Sequence, residues 1–99
     1  MRRIRILTVC GSGVISAAML SEKLTDILEE NGYQTETTES KPETAAGTAR
    51  KENYDLVVYT AAPEGEFQIP VLNAAGFLVG INEEEFVENL LEAVGNMEL

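Results

Sequence analysis

An α/β fold, with a parallel sheet and helices on both faces, is the reading that three observations impose on these 99 residues. Strand-like runs alternate with helical periodicity from one end of the chain to the other. The connections between them are short. Two of the runs, near the start and in the middle, are apolar enough to read as buried strands. Alternation of this kind with short links builds one parallel sheet covered on both sides, and the length suits a single domain over residues 1–99.

Arg3 to Val9 opens the chain as a buried strand, with Ile4, Ile6, Leu7 and Val9 apolar. Gly11 to Gly13 breaks it. From Val14 the apolar spacing turns helical: Ile15, Met19, Leu24, Ile27 and Leu28 share a broad face, and Glu22, Lys23, Glu29 and Glu30 fall largely outside it. Asn31-Gly32 stops that helix, glycine supplying the left-handed C-terminal conformation. Gln34 to Glu39 is short and polar, which places it at a sheet edge. Ser40 to Glu43 has capping-box spacing and Pro42 suits an early helical position, so a second helix is expected to run to about Lys51. Its apolar face is thin (Ala45, Ala46, Ala49), and Gly47 weakens it.

Asp55 to Thr60 reads as the next buried strand, and Ala61 to Gln68 as a loop. Ile69 to Leu72 is a short strand that Pro70 confines to an edge or to the strand's start. Phe77 to Ile81 reads as a further extended apolar stretch. Asn82-x-x-Glu85 is expected to cap a last helix, with Phe86, Val87, Leu90, Leu91 and Val94 facing the core and Gly95 ending it. Glu83, Glu84 and Glu85 fall in its first turn, where the helix dipole favours negative charge.

Composition excludes several function classes. Seven basic against seventeen acidic residues give a net charge of −10. Nucleic-acid binding needs clustered Lys and Arg, so this balance argues against it. An acidic surface serves solubility, and docking to a basic partner is the sharper alternative. There is no histidine, which removes His-based triads, His-ligated metals and a histidine phosphoryl carrier. The carboxylates show no metal-ligand spacing, so neither a metal nor another cofactor is expected. No apolar run approaches the roughly 18 to 20 residues of a membrane span. The opening apolar run is too short for a signal peptide, and a lone cysteine fits a reducing compartment. A cytoplasmic location is therefore expected.

Cys10 carries the chemistry. A lone cysteine is commonly an inert small hydrophobe of the core. This one ends the first strand and is followed by Gly11-Ser12-Gly13 and the start of a helix. Glycines there let successive N–H groups curl inward as an anion nest, and the helix start adds unpaired N–H groups and positive dipole. Both favour a thiolate and the charge of a phosphoryl group on sulfur. Ligands in such sheets sit beyond the carboxyl ends of the strands, where Cys10 lies. The backbone of Gly11, Ser12, Gly13, Val14, Ile15 and Ser16 is the candidate phosphate loop, with the Ser12 and Ser16 hydroxyls as further donors. Cysteine phosphatases use Cys-x5-Arg, and the sixth residue after Cys10 is Ser16. A cysteine that holds phosphate without that guanidinium suits a relay better than a hydrolase.

Cys10-Gly-Ser-Gly-Val-Ile-Ser-Ala-Ala-Met19 resembles the phosphocysteine loop of the enzyme IIB components of the bacterial phosphoenolpyruvate-dependent sugar phosphotransferase system, the galactitol-type branch most of all. Ile69-Pro70-Val71-Leu72, then Phe77-Leu78-Val79-Gly80 and an acidic-capped helix, resembles that branch's C-terminal half. The resemblance implies a four-stranded parallel sheet, topologically akin to the small tyrosine phosphatases. It also implies that Cys10 takes a phosphoryl group from a phosphohistidine of a IIA partner. The group then passes to a galactitol-like sugar or sugar alcohol held by a membrane IIC component, with which this protein associates peripherally. Related loops carry more hydroxyls where this chain has Ala17 and Ala18, which leaves more of the phosphate to the backbone. The Ala61 to Gln68 loop has two glutamates and no Lys or Arg. A small cysteine phosphatase or arsenate-reductase-like enzyme, and a regulatory module of the same fold without a transport role, are the alternatives.

Overall fold

The computed structural model describes residues 3–11 and 14–97; of residues 14–17 it describes the helical backbone and not the side chains. Its elements run β1 (Ile4–Val9), α1 (Val14–Glu30), β2 (Thr35–Ser40), α2 (Ala45–Lys51), β3 (Leu56–Tyr59), β4 (Val71–Asn73), α3 (Ala75–Leu78) and α4 (Glu83–Gly95). The four strands form one sheet in the order β2-β1-β3-β4, every pair parallel. The polar strand β2 is at an edge, as its composition demands. β4 forms the other edge and begins just after Pro70, whose carbonyl accepts the Val57 N–H at 2.9 Å.

Strand alternation distributes the core over both faces. On one, Ile4 and Ile6 of β1 and Leu56 and Val58 of β3 pack with Leu20, Leu24 and Leu28 of α1 and Phe86, Leu90 and Val94 of α4. Leu7, Val9 and Val57 point the other way and pack with Ala45 of α2 and Tyr54. The first cluster carries most of the large side chains, each fully buried leucine contributing about 1.5–3 kcal/mol. The thin alanine face of α2 covers the rest.

Several sequence expectations shift by a residue or a turn. The core stripe of α1 is Leu20, Leu24 and Leu28, with Ile27 at its margin, whereas Met19 is 45% exposed. A four-residue step puts 20, 24 and 28 in line, and Met19 lies about 100° off it. Ile15 lies among the residues whose side chains are not described. Helix α2 starts at Ala45, not near Pro42, because Lys41 to Thr44 closes a turn in which the Thr44 and Ala45 N–H groups both bond the Lys41 carbonyl. The expected capping box does not form: the Ser40 hydroxyl lies 3.3 Å from that of Thr44 instead.

Phe77 to Ile81 is not extended. Ala75–Leu78 is one helical turn, closed when Ile81 N–H bonds the Gly76 carbonyl and Gly80 N–H bonds that of Phe77. Gly80 has φ +84°, the left-handed conformation that such a paired closure requires. Phe77 is buried and stacks on Phe86 with ring centroids 4.4 Å apart, while Val79 and Ile81 are 71% and 58% exposed. Asn82 does precede α4, but it is itself left-handed (φ 54°) and its side chain makes no capping bond. The α1 stop behaves as expected: Tyr33 N–H bonds Leu28 and Gly32 N–H bonds Glu29, with Gly32 at φ +87°.

Candidate active site

The strand register aligns Ser40, Val9, Tyr59 and Asn73 in a row along the carboxyl edge of the sheet. Cys10 is the next residue of β1, one of the two central strands. It is partly buried, a free thiol, and packs against the first core cluster. Parity explains that placement: positions 4, 6, 8 and 10 share the α1 face, and Thr8 is buried there, its hydroxyl donating to the Thr38 carbonyl at 3.2 Å. The thiol is thus half in the core and half at the edge, at the turn that leads into α1.

Backbone bonds hold this turn on both sides. Cys10 N–H donates to the Ser40 carbonyl at 3.3 Å, and the Val9 carbonyl accepts from Thr60 at 2.9 Å and Ala61 at 3.4 Å. Gly11 is exposed, and a Cβ there would stand 3.0 Å from the Cβ of Ala61. Its φ is not in the left-handed range. A side chain at this position would therefore crowd Ala61, a reason for glycine that the loop motif did not reveal. Ser12 and Gly13 lie outside the described residues. Val14, Ile15 and Ser16 form the first turn of α1, and their side chains are not described.

Glu64 and Glu66 sit on the α2 side of the molecule. Glu64 N–H bonds the Pro42 carbonyl at 3.0 Å, and Gly65 (φ +97°) comes so near α2 that a Cβ would meet that of Ala46 at 2.9 Å. Glu66 lines a cavity of ≈ 660 Å³ with Arg50, Tyr54 and Phe67. Cys10 faces the other side of the sheet. Among the described residues no cluster of three metal-ligating side chains occurs, and no helix is long and apolar enough to cross a membrane.

A site that sequence reading passed over lies at the opposite end of β1. Arg5 donates through Nη1 to the Asn53 carbonyl at 2.8 Å, and its guanidinium carbon stands 4.8 Å from the Tyr54 ring centroid. It also pairs with Glu36 at 3.8 Å and Glu52 at 3.6 Å. Its own N–H donates to Asp55 Oδ2 at 2.8 Å, and Asp55 N–H returns a bond to the Arg5 carbonyl. A charged residue inside an apolar strand was the signal available.

Residues 5–89 match the family model described as PTS system, Lactose/Cellobiose specific IIB subunit. The chain belongs to this IIB family. It is also similar to a protein of Escherichia coli (strain K12) named "Putative phosphotransferase enzyme IIB component SgcB", at 29% identity over 90 residues, which cover 87% of this chain and 91% of that protein. This IIB protein is accordingly a phosphotransferase component of the sugar phosphotransferase system, whose IIB domains in general work with IIA and IIC partners. The match gives the galactitol-type branch no support, since the family description names lactose and cellobiose.

Proposed function

We propose that this IIB protein relays a phosphoryl group through Cys10. The observation that carries the reading is the thiol's position at the carboxyl end of a central strand, on the turn into a 17-residue helix. A helix start offers unpaired N–H groups and positive dipole, which stabilise both a thiolate and a phosphorylated sulfur. Gly11, Ser12, Gly13, Val14, Ile15 and Ser16 supply the N–H groups.

In the first step the Cys10 thiolate attacks the phosphorus of a phosphohistidine on a IIA partner. An S–P bond forms as the N–P bond breaks, the bonding pair stays on nitrogen, and the ring, protonated at its other nitrogen, is left on the partner as neutral imidazole. The loop N–H groups bond the equatorial oxygens, so catalysis is positioning and electrostatics. In the second step a hydroxyl of a sugar or sugar alcohol, held by a membrane IIC component, attacks the phosphocysteine. An O–P bond forms, the thiolate is released, and the hydroxyl proton passes to a base on the IIC side. Acceptor identity lies with IIC. The galactitol-like polyol suggested by the loop and the disaccharides in the family description are the two acceptor classes to compare.

Intact-mass measurement after incubation with phosphoenolpyruvate, the general phosphotransferase proteins and candidate IIA partners tests the relay. One added phosphoryl group, lost in Cys10→Ser, is expected. Phosphorylation that persists in Cys10→Ser would overturn the assignment. Supplying IIC membranes with galactitol or cellobiose then identifies the acceptor.

A further inference from the structure

We infer that the groove between β4 and α4 takes an extended, basic-flanked peptide segment of a partner protein, which adds to the sheet as a fifth strand. The inference rests on the relay reading, since such a segment would fix a partner of the phosphoryl transfer beside Cys10. Pro70 and Ala74 bond β3 through the Pro70 carbonyl and the Ala74 N–H. The register, Val57 with Val71 and Tyr59 with Asn73, turns the N–H and C=O of Leu72 toward β3 as well. Parallel pairing alternates, so the N–H and C=O of Val71 and Asn73 face away from the sheet. β4 pairs with β3 only, and among the described residues nothing bonds those four groups.

Along this free edge runs a cavity of ≈ 410 Å³ whose walls include Val71, Leu72, Phe77, Ile81, Glu85 and Asn89. A free strand edge beside a helix-walled groove is what strand addition needs: main-chain bonds for affinity and a pocket for alternate side chains. Val71 and Ile81 leave 37% and 58% of their surface exposed, and Val79, at 71%, lies two residues from Ile81. These are three of the four large exposed hydrophobics among the described residues. Glu85 of α4 lines the groove, and Glu83, Glu84 and Glu88 are exposed elsewhere on the same helix.

That charge decides the occupant. A second copy would bring another −10 to the same edge and be repelled, whereas lysine or arginine flanking an apolar segment is attracted. Strands stack about 4.8 Å apart, so β4 lies about 10 Å from β1. Asn73 stands in the same row as Val9, immediately before Cys10. A partner held at β4 therefore reaches the thiol without covering it.

The test uses the whole protein, 15N-labelled and unphosphorylated, titrated at physiological salt with acetyl-Lys-Lys-Val-Thr-Val-Lys-Lys-amide. Shifts should centre on Val71, Asn73, Ile81 and Asn89, with slowed amide exchange at Val71 and Asn73. N-methylation of the three central peptide residues should weaken binding at least tenfold. Val71→Pro, which removes an outward donor, and Ile81→Glu, which leaves every strand bond intact, should each do the same. Three outcomes would overturn the inference: no binding at millimolar peptide, equal binding of hexalysine or of the N-methylated peptide, or shifts centred elsewhere. Phosphorylation of Cys10 is scored separately by mass, so a failed titration with intact transfer removes the docking groove and leaves the relay standing.

Discussion

The two ends of β1 are anchored in different ways. At the amino end Arg5 reaches across the sheet to Asn53, Tyr54, Glu36 and Glu52, and Asp55 binds its backbone. At the carboxyl end Cys10 and Val9 are held by backbone bonds to Ser40, Thr60 and Ala61, and Gly11 brings no Cβ to crowd the Ala61 methyl. At the amino end a long charged side chain helps fix strand register. The thiol itself packs against the first core cluster, and the chain around it is tied by main-chain bonds instead of ion pairs. On the proposed relay, one strand separates register from chemistry by its own length.

Substitutions at the two ends should separate accordingly. The largest effect is expected from Cys10→Ser, which should abolish phosphoryl gain by mass while leaving the thermal midpoint within a few degrees. Next comes Gly11→Val. Its side chain meets Ala61 at 3.0 Å, and displacement of the turn by roughly an ångström should slow transfer about 10- to 100-fold. Ala61→Gly in the same chain should restore much of the rate in single-turnover transfer; no restoration would mean that Gly11 acts through something other than that contact. Arg5→Ala should do the opposite of Cys10→Ser. It should cost about 1–2 kcal/mol in urea unfolding, from a lost hydrogen bond and a cation–π contact, with transfer unchanged within twofold. A transfer defect there would break the separation. Glu36→Gln should be the mildest: the pair is long and half-exposed, worth at most about 0.5 kcal/mol.

The same contrast shows what was legible in the sequence. The strand before Cys10 and the helix after it were readable because apolar runs, a glycine break and helical periodicity are local signals. Gly32 was readable for the same reason. The Phe77 to Ile81 run was not, because four apolar residues and a glycine fit a strand or a turn of helix equally, and Gly80 decides between them only through its φ. Ser40 to Glu43 had the right residues for a cap, but Pro42 set the turn three residues earlier than the helix. Met19 and Leu20 were exchanged because adjacent apolar residues leave the phase of a helix uncertain by one position. Gly11's contact with Ala61 and the Arg5 network were out of reach, since their partners are about 50 positions away and only the folded chain brings them together.

The strand order has a consequence for synthesis on the ribosome. The largely apolar β1 can pair with β2 once about 40 residues have emerged, but its other edge stays open until β3 arrives, Ile6 meeting Leu56. At about 5–20 residues per second that interval lasts on the order of a second or more. A nascent chain so placed offers a bare hydrophobic ribbon on one side only, because the Thr- and Glu-rich β2 has already sealed the other with a strand too polar to recruit a neighbour. The polar edge strand thereby covers one edge of β1 before the partner for the other has been made.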